Sequence, residues 1–390
     1  MKSNAHFLKK ILVLISFLVI LEPMYLSNIA GIDVIYNVMK IIVALIVLSL
    51  YLGRGQISYI SIMILFYHLY LILRTVQNNG DIKSSLVQSA TFIAFCLLLE
   101  MVVKENTAWI YNILLPILEV YVYINFITVI VFPDGLYSTY LFENNYFLGY
   151  DNQNINFILP AMALSLLNYY RLRSQWIRTL CLLSTSVLTV LFTWSGASLV
   201  IVSGFVVFAV FRKMLNTKFF NLRTYLVINA ACFWLLVIVR IQNYFSYFIE
   251  TILEKSLTLT GRTILWDITL AYIKRNPVLG YGIETTVVRG LKNGKGANHP
   301  FSLHAHDRIL EILYRGGIIL LVIQIIILIL ACRKAMKYKE STEVQILAFT
   351  MFLYLTGMLT EYYDYSPFFW GFMVMFSYSD HLIKKYGPGG

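Results

Sequence analysis

Apolar runs of about 17 to 25 residues recur along almost the whole of this sequence, and no other feature constrains its fold as strongly. A helical run of that length matches the hydrocarbon thickness of a bilayer, and backbone groups in lipid must find their partners within the segment itself. The chain therefore reads as an all-α, polytopic integral membrane protein. Of its 390 residues, 59% are hydrophobic and only 13% charged, about half the charged share of a soluble domain. Twelve spans are expected, near 11–29, 34–53, 57–76, 84–103, 108–132, 154–170, 176–195, 197–211, 224–240, 317–332, 344–361 and 366–383. The seventh and eighth form nearly one block broken at Ser195-Gly196, so eleven is the alternative count. The first run follows Lys2, Lys9 and Lys10 without a small-residue cleavage site, so a retained helix is expected there rather than a signal peptide.

The formal charge of +11 does not point to nucleic acid, because the basic residues cluster at the ends of apolar runs, where they set orientation and meet anionic lipid. With the N-terminus inside, the inner segments carry 18 lysines and arginines, while the short outer loops hold only Arg74 and Lys83. Both termini are accordingly expected in the cytoplasm. Cys96, Cys181, Cys232 and Cys332 all lie in apolar runs with no C-x-x-C spacing, which argues against disulfides and zinc alike. Residues 1–390 are read as one multi-pass domain interrupted by two long outer segments. Pro133 to Gln153 contains Asp134, Glu143 and Asp151, no lysine or arginine, and the rings Tyr137, Tyr140, Phe142, Tyr146, Phe147 and Tyr150. Those rings serve either as an interfacial belt or as sugar-stacking faces. The second segment, 241–316, lies between the ninth and tenth spans. With Arg240 at its edge it holds ten basic and six acidic residues, together with His299, His304 and His306.

Within this large loop, Thr260 is expected to cap a helix that runs to Arg275 and ends at Asn276-Pro277, after which Gly280 and Gly282 permit a tight excursion. Ser302 is expected to cap a second helix containing His304 and His306 and running toward Gly316-Gly317. Arg262 and both histidines would then lie in first helical turns, where exposed N–H groups favour anions and lower a histidine's pKa. Arg308 would push His306 toward neutrality and Asp307 would pull the other way. An arginine here can hold a phosphate bidentately, or it can simply anchor or cap. Arg74 and Arg240, at the outer ends of spans, are candidates to converge with Arg262 on one anion, and boundary anchors otherwise. Arg289, Lys292 and Lys295 read as a solvated face. Glu22, Lys40, Glu100 and Glu119 lie inside spans but share no spacing that would mark a proton path. H-E-x-x-H, G-x-S-x-G and Walker patterns are missing, and no carboxylates pair up in the loop, so a metal-independent reaction is expected.

Gly261-Arg262-x-x-Leu265-Trp266, Asn276-Pro277-x-x-Gly280-x-Gly282 and His306-Asp307-x-x-Leu310-x-x-Leu313-x-x-x-Gly317 together resemble the signature of the O-antigen ligase and Wzy polymerase superfamily. Phe147 to Gln153, leading into Phe157-Ile158-Leu159-Pro160, is similar to Wzy-type capsule and exopolysaccharide polymerases of Gram-positive bacteria. The resemblance implies a membrane glycosyltransferase like those of the GT-C class, with no cofactor. Such an enzyme polymerises oligosaccharide repeat units carried on undecaprenyl pyrophosphate, at the outer face of the bacterial cell membrane. Donor and acceptor are then both lipid-linked, and a chain-length regulator and a flippase of the same pathway are the implied protein partners. Carried over by motif, the catalytic roles fall on His306 as base and Arg262 as pyrophosphate ligand. Arg240, Arg74 and Arg308 are further pyrophosphate candidates, with His304, Asp307, Tyr150, Asn152 and Tyr281 in support. The sequence departs from the family in two places. Asp307 stands where Asn is usual, and Ser195-Gly196-Ala197 stands where many members have Ser-Arg-Gly, which is why Arg240 enters as a substitute. Two rivals remain: a ligase passing a finished glycan to another acceptor, and a lipid-linked oligosaccharide flippase. A flippase would place its charges inside the spans and show two related halves, whereas here the charge gathers in one outer loop.

Overall fold

The computed structural model of the chain describes residues 2–55, 57–139, 142–172, 174–245, 261–283, 287–288, 301–361, 363 and 366–383. Its helices are α1 (Lys2–Ile20), α2 (Met24–Ser27), α3 (Ile32–Leu52), α4 (Tyr59–Gln77), α5 (Ile82–Glu105), α6 (Leu115–Val131), α7 (Ile155–Leu172) and α8 (Trp176–Thr193). They continue with α9 (Gly196–Phe211), α10 (Leu222–Phe233), α11 (Arg262–Arg275), α12 (Arg308–Lys337), α13 (Thr342–Gly357), α14 (Phe368–Ser377) and α15 (Ser379–Ile383). A π-helical turn at Ile110–Leu114 leads into α6, and another at Trp234–Ile238 extends α10. A small hairpin of β1 (Asn145–Tyr146) and β2 (Gly149–Tyr150) precedes α7.

Every one of the twelve expected runs overlaps a helix, and among the described residues seven helical segments are long and apolar enough to cross a membrane. These are α3, α4, α5, Ile110–Val131, α8, Gly196–Met214 and α12. The surfaces agree. Val34, Ile35, Leu45 and Leu50 of α3 and Val200, Val207 and Val210 of α9 are exposed, while Phe17, Phe95, Tyr354 and Phe372 are fully buried. A bundle apolar both inside and outside is what a lipid solvent allows and water does not. The protein is a helical membrane protein.

Several expected boundaries need correction. The first run does not continue to residue 29: α1 ends at Ile20, and Pro23, which cannot extend a helix from the preceding turn, starts the separate turn α2. The block at Ser195-Gly196 does break, with Trp194 in a left-handed conformation and Ser195 accepting a hydrogen bond from the Ser198 N–H, so α8 and α9 are separate helices. The run expected at 344–361 stops at Gly357, which leaves Glu361 in the following turn. Ser302 does not cap a helix. It pairs in a short strand, Phe301–Ser302, with Val287–Val288. The cap is Asp307, whose Oδ1 accepts from the Leu310 N–H at 2.9 Å, so His304 and His306 precede the helix rather than open it. From there α12 runs through the tenth expected span in one piece, kinked at Gly317. Thr260, Tyr140, Arg289, Lys292, Lys295 and His299 lie outside the described residues.

At the core, α4 packs on α5 and α12, α14 on α5 and α12, and α13 on α7, α9 and α10. Charged groups within the spans are paired. Lys40 meets Glu22 at 2.7 Å, Arg178 grips Glu119 with two nitrogens, and Glu100 accepts from Lys104, Tyr51, Ser58 and Tyr378.

Candidate active site

The first motif is built around a peg. Trp266 is fully buried against Val237, Ala305 and Leu310, so α11 is fastened both to the end of the α10 segment and to the stretch that precedes α12. Ala305 is the residue between the two histidines, and the peg therefore brings His304 and His306 alongside the start of α11. Arg262 is the first residue of that helix, reached through Gly261 at φ +87°, a conformation that favours glycine.

From Arg262 a polar chain crosses three elements. Its Nη2 forms an ion pair with Oε1 of Glu361, in the turn between α13 and α14. The same oxygen accepts from Asn152 Nδ2 at 2.9 Å, and Asn152 Oδ1 accepts from the Ser195 hydroxyl at the start of α9. Ser195 also bonds to Ser198 at 2.9 Å. Glu361 is only 4% exposed, and burial pushes its carboxyl up to about 7 although Arg262 attracts the charged form and Asp151 opposes it. Burial likewise raises Asp151. The buried Tyr363 hydroxyl lies in the field of Glu361 and Arg262. The segment 150–153 and the large loop thus meet on one carboxylate.

His306 stands at φ +50°, turning the chain into α12. Burial first, then the charge of Arg262 and then His304, lower its pKa to about 4, so the imidazole is neutral at physiological pH. The expected cause was Arg308, but that guanidinium points elsewhere: it lies 4.9 Å from the Phe369 ring and reaches Gln324. Nor does Asp307 act as a free carboxylate. It is 2% exposed, its Oδ1 is used as the helix cap, and burial pushes it up to about 7. Behind His304 sits Glu311, whose Oε1 accepts from Arg315 Nε at 2.7 Å and faces His304 Nδ1 at 3.4 Å, while Oε2 accepts from the Ala305 N–H at 2.7 Å. One buried carboxylate thereby braces the whole His304-Ala305 stretch.

The remaining candidates are placed around this centre. Arg240 lies along α11, with Nη2 2.6 Å from Asp267 and its guanidinium over the Trp266 ring. Arg74 donates from Nε to Leu279 O at 3.1 Å and from Nη2 to Gly280 O at 2.9 Å, and it also bonds to Gln77, so it grips the second motif. Tyr281 donates its N–H to Tyr314 O at 2.9 Å and its hydroxyl to Tyr272 O at 3.1 Å. Tyr150 is stacked on Phe142 with ring centroids 3.8 Å apart. The structure therefore joins Arg262, His306, His304 and Asn152 in one neighbourhood, whereas Arg74, Arg308 and Tyr281 hold surrounding backbone and rings. Among the described residues no group of three or more His, Cys, Asp or Glu is arranged to hold a metal ion.

Residues 157–325 match the model of the family described as O-antigen ligase. Over that stretch the chain is similar to the O-antigen ligase and polymerase superfamily. Neither curated proteins nor solved structures give a match. Members of this superfamily are glycosyl-transferring membrane enzymes, and the matched region includes Arg262 and His306. Glu361 and Asn152 lie outside it, on either side. Glu361 and Glu311 are absent from the sequence candidates, and Ser195 figures there only as a break and a departure from the family pattern. For Glu361 a signal existed: an acid closing an apolar run, at the end that carries the large loop.

Proposed function

We propose that this protein is a polysaccharide polymerase of the O-antigen ligase and polymerase superfamily. It joins oligosaccharide repeat units carried on undecaprenyl pyrophosphate into capsular or exopolysaccharide at the outer face of the membrane, in a helical frame like those of GT-C glycosyltransferases. The observation that carries the reading is the pairing of a neutral, buried His306 with the Arg262 cation at the start of α11. In the reaction the anomeric C–O bond of the donor breaks and its electron pair stays on the diphosphate oxygen, where arginine stabilises the developing charge. The acceptor's sugar hydroxyl forms the new C–O bond and gives its proton to His306. No metal is invoked. The positive-inside pattern favours the outer face for this end of the bundle, the end at which 152, 195, 262 and 361 meet.

The ligase reading has the family's own description in its favour. One assay separates the two. Purified protein given synthetic lipid-pyrophosphate repeat units alone is expected to produce a ladder of products. A ligase yields no ladder and a single product only when a second acceptor is added. Arg262→Ala and His306→Ala are each expected to abolish the ladder while the protein still inserts and accumulates.

A further inference from the structure

The Arg262 side chain already holds an anion, the carboxylate of Glu361, at the position where the proposed reaction needs it to hold a diphosphate. We infer that Glu361 is a proton-accepting counter-ion of Arg262: the incoming diphosphate displaces its carboxylate from the guanidinium, and Glu361 takes up one proton as the substrate binds. This deepens the reading of the donor as a lipid diphosphate and rests on it.

The geometry requires some such exchange. Glu361 is buried, its Oε1 is shared between Arg262 and Asn152, and Asp151 stands close enough to oppose its charge. Placing a multiply charged phosphate beside two carboxylates in a desolvated pocket is costly unless one of them is neutralised. Among the described residues, the charged and titratable groups facing Glu361 are Arg262 from α11, Asp151 from the turn before α7 and Tyr363 from its own turn, with Tyr150 and Tyr354 behind Tyr363. Glu361 is better suited than Asp151 to accept the proton. It touches the arginine directly, whereas one Asp151 oxygen accepts the Asn152 N–H at 2.7 Å, which favours its charged form. Burial already poises the Glu361 carboxyl near neutrality. Once protonated it loses its claim on Arg262 and keeps an acceptor oxygen for Asn152. Glu361 is thus a positioning residue, acting on the substrate through Arg262.

The test uses the full chain in lipid nanodiscs, titrated calorimetrically with inorganic pyrophosphate and with undecaprenyl pyrophosphate in buffers of different ionisation enthalpy. Wild type is expected to take up about one more proton at about pH 8 than E361Q does. The E361Q variant, an uncharged isostere, is expected to bind about tenfold more tightly than wild type at about pH 8, with the two affinities converging near pH 6. The inference is overturned if E361Q binds no more tightly than wild type at the higher pH, if both take up the same number of protons, or if D151N and not E361Q removes the proton. Wild-type proton uptake is also read against the protonation of the free probe at the same pH, so a folding defect in E361Q does not shelter the idea. If neither probe binds wild type at any pH, the diphosphate-donor reading itself falls, and this inference falls with it.

Discussion

Gly280 and Gly316 meet backbone to backbone: a Cβ built on Gly280 would come within 2.5 Å of the Gly316 nitrogen. The second motif packs there into the kink of α12, with Ile318 N–H donating to Pro277 O at 2.9 Å and Gly282 N–H to Arg315 O at 2.7 Å. Gly280 also sits at φ +66°. Alanine at this position meets both a forbidden contact and a left-handed backbone, which together cost about 2 kcal/mol or more. Gly280→Ala is therefore expected to lower the melting temperature in detergent and to lose activity along with it. An unchanged melting temperature would contradict this packing.

Arg74 is the other clamp on the same turn. It spends Nε and Nη2 on two adjacent carbonyls, which Tyr70 Oη and Asn276 Nδ2 also reach at 3.1 and 2.8 Å, so Arg74→Ala removes one of two donors from each, at about 1 kcal/mol per bond lost. Arg74→Lys can replace one bond but not the fork. Both variants should melt earlier, the lysine form less so, with the KM for lipid-pyrophosphate donor nearly unchanged in the lysine form. A large rise in KM without a stability loss would instead make Arg74 an anion ligand.

Much of this was legible in the chain, and the illegible parts have physical reasons. Run length and charge at the run ends disclosed the helical bundle, because lipid imposes one solution on the backbone. The helix ending at Asn276-Pro277 with Arg262 in its first turn was readable from Gly261-Arg262 and the Asn-Pro stop, whereas His306, expected inside a first helical turn, instead stands in the turn before α12. Glu361 was not readable as a partner of Arg262. It lies 99 residues further on, and nothing in its own surroundings says which loop it faces. Ser302 misled because a serine before an apolar stretch looks like a cap whether or not the chain turns there. Only the burial of Asp307 and the φ of His306 decide where α12 begins.

The neutral state of His306 carries a kinetic consequence. A base with its pKa near 4 is already unprotonated above about pH 5, so the single-turnover rate at sub-saturating donor, which reports the ligand-free enzyme, should show no acid limb from this imidazole between pH 5 and pH 7. His306→Ala should cost about 10²- to 10⁴-fold in that rate with donor affinity little altered. An acid limb centred near the ordinary histidine value of 6.5 would mean that the burial and the Arg262 field are absent from the working enzyme.

Asp307 offers the cleanest stability experiment. Its carboxyl is buried and raised from 3.8 to about 7, so the folded state holds a proton that the unfolded chain would release. For a group raised on folding, the contribution is fully present below about pH 4 and is lost as pH climbs through 7. Between those limits it falls by about 1.4 kcal/mol per pH unit. Asn in its place keeps an oxygen for the Leu310 N–H, and hence the helix cap, but cannot ionise. The melting temperature of Asp307→Asn should match wild type near pH 4, exceed it increasingly up to about pH 7 and then hold a constant lead, with glycosyl transfer retained because His306 is still placed by the same turn. Asp307→Ala should lie below wild type at acid pH by about 1 kcal/mol of lost capping. A gap between wild type and the asparagine variant that stays constant from about pH 4 to about pH 7 would show that Asp307 is not held protonated in the fold.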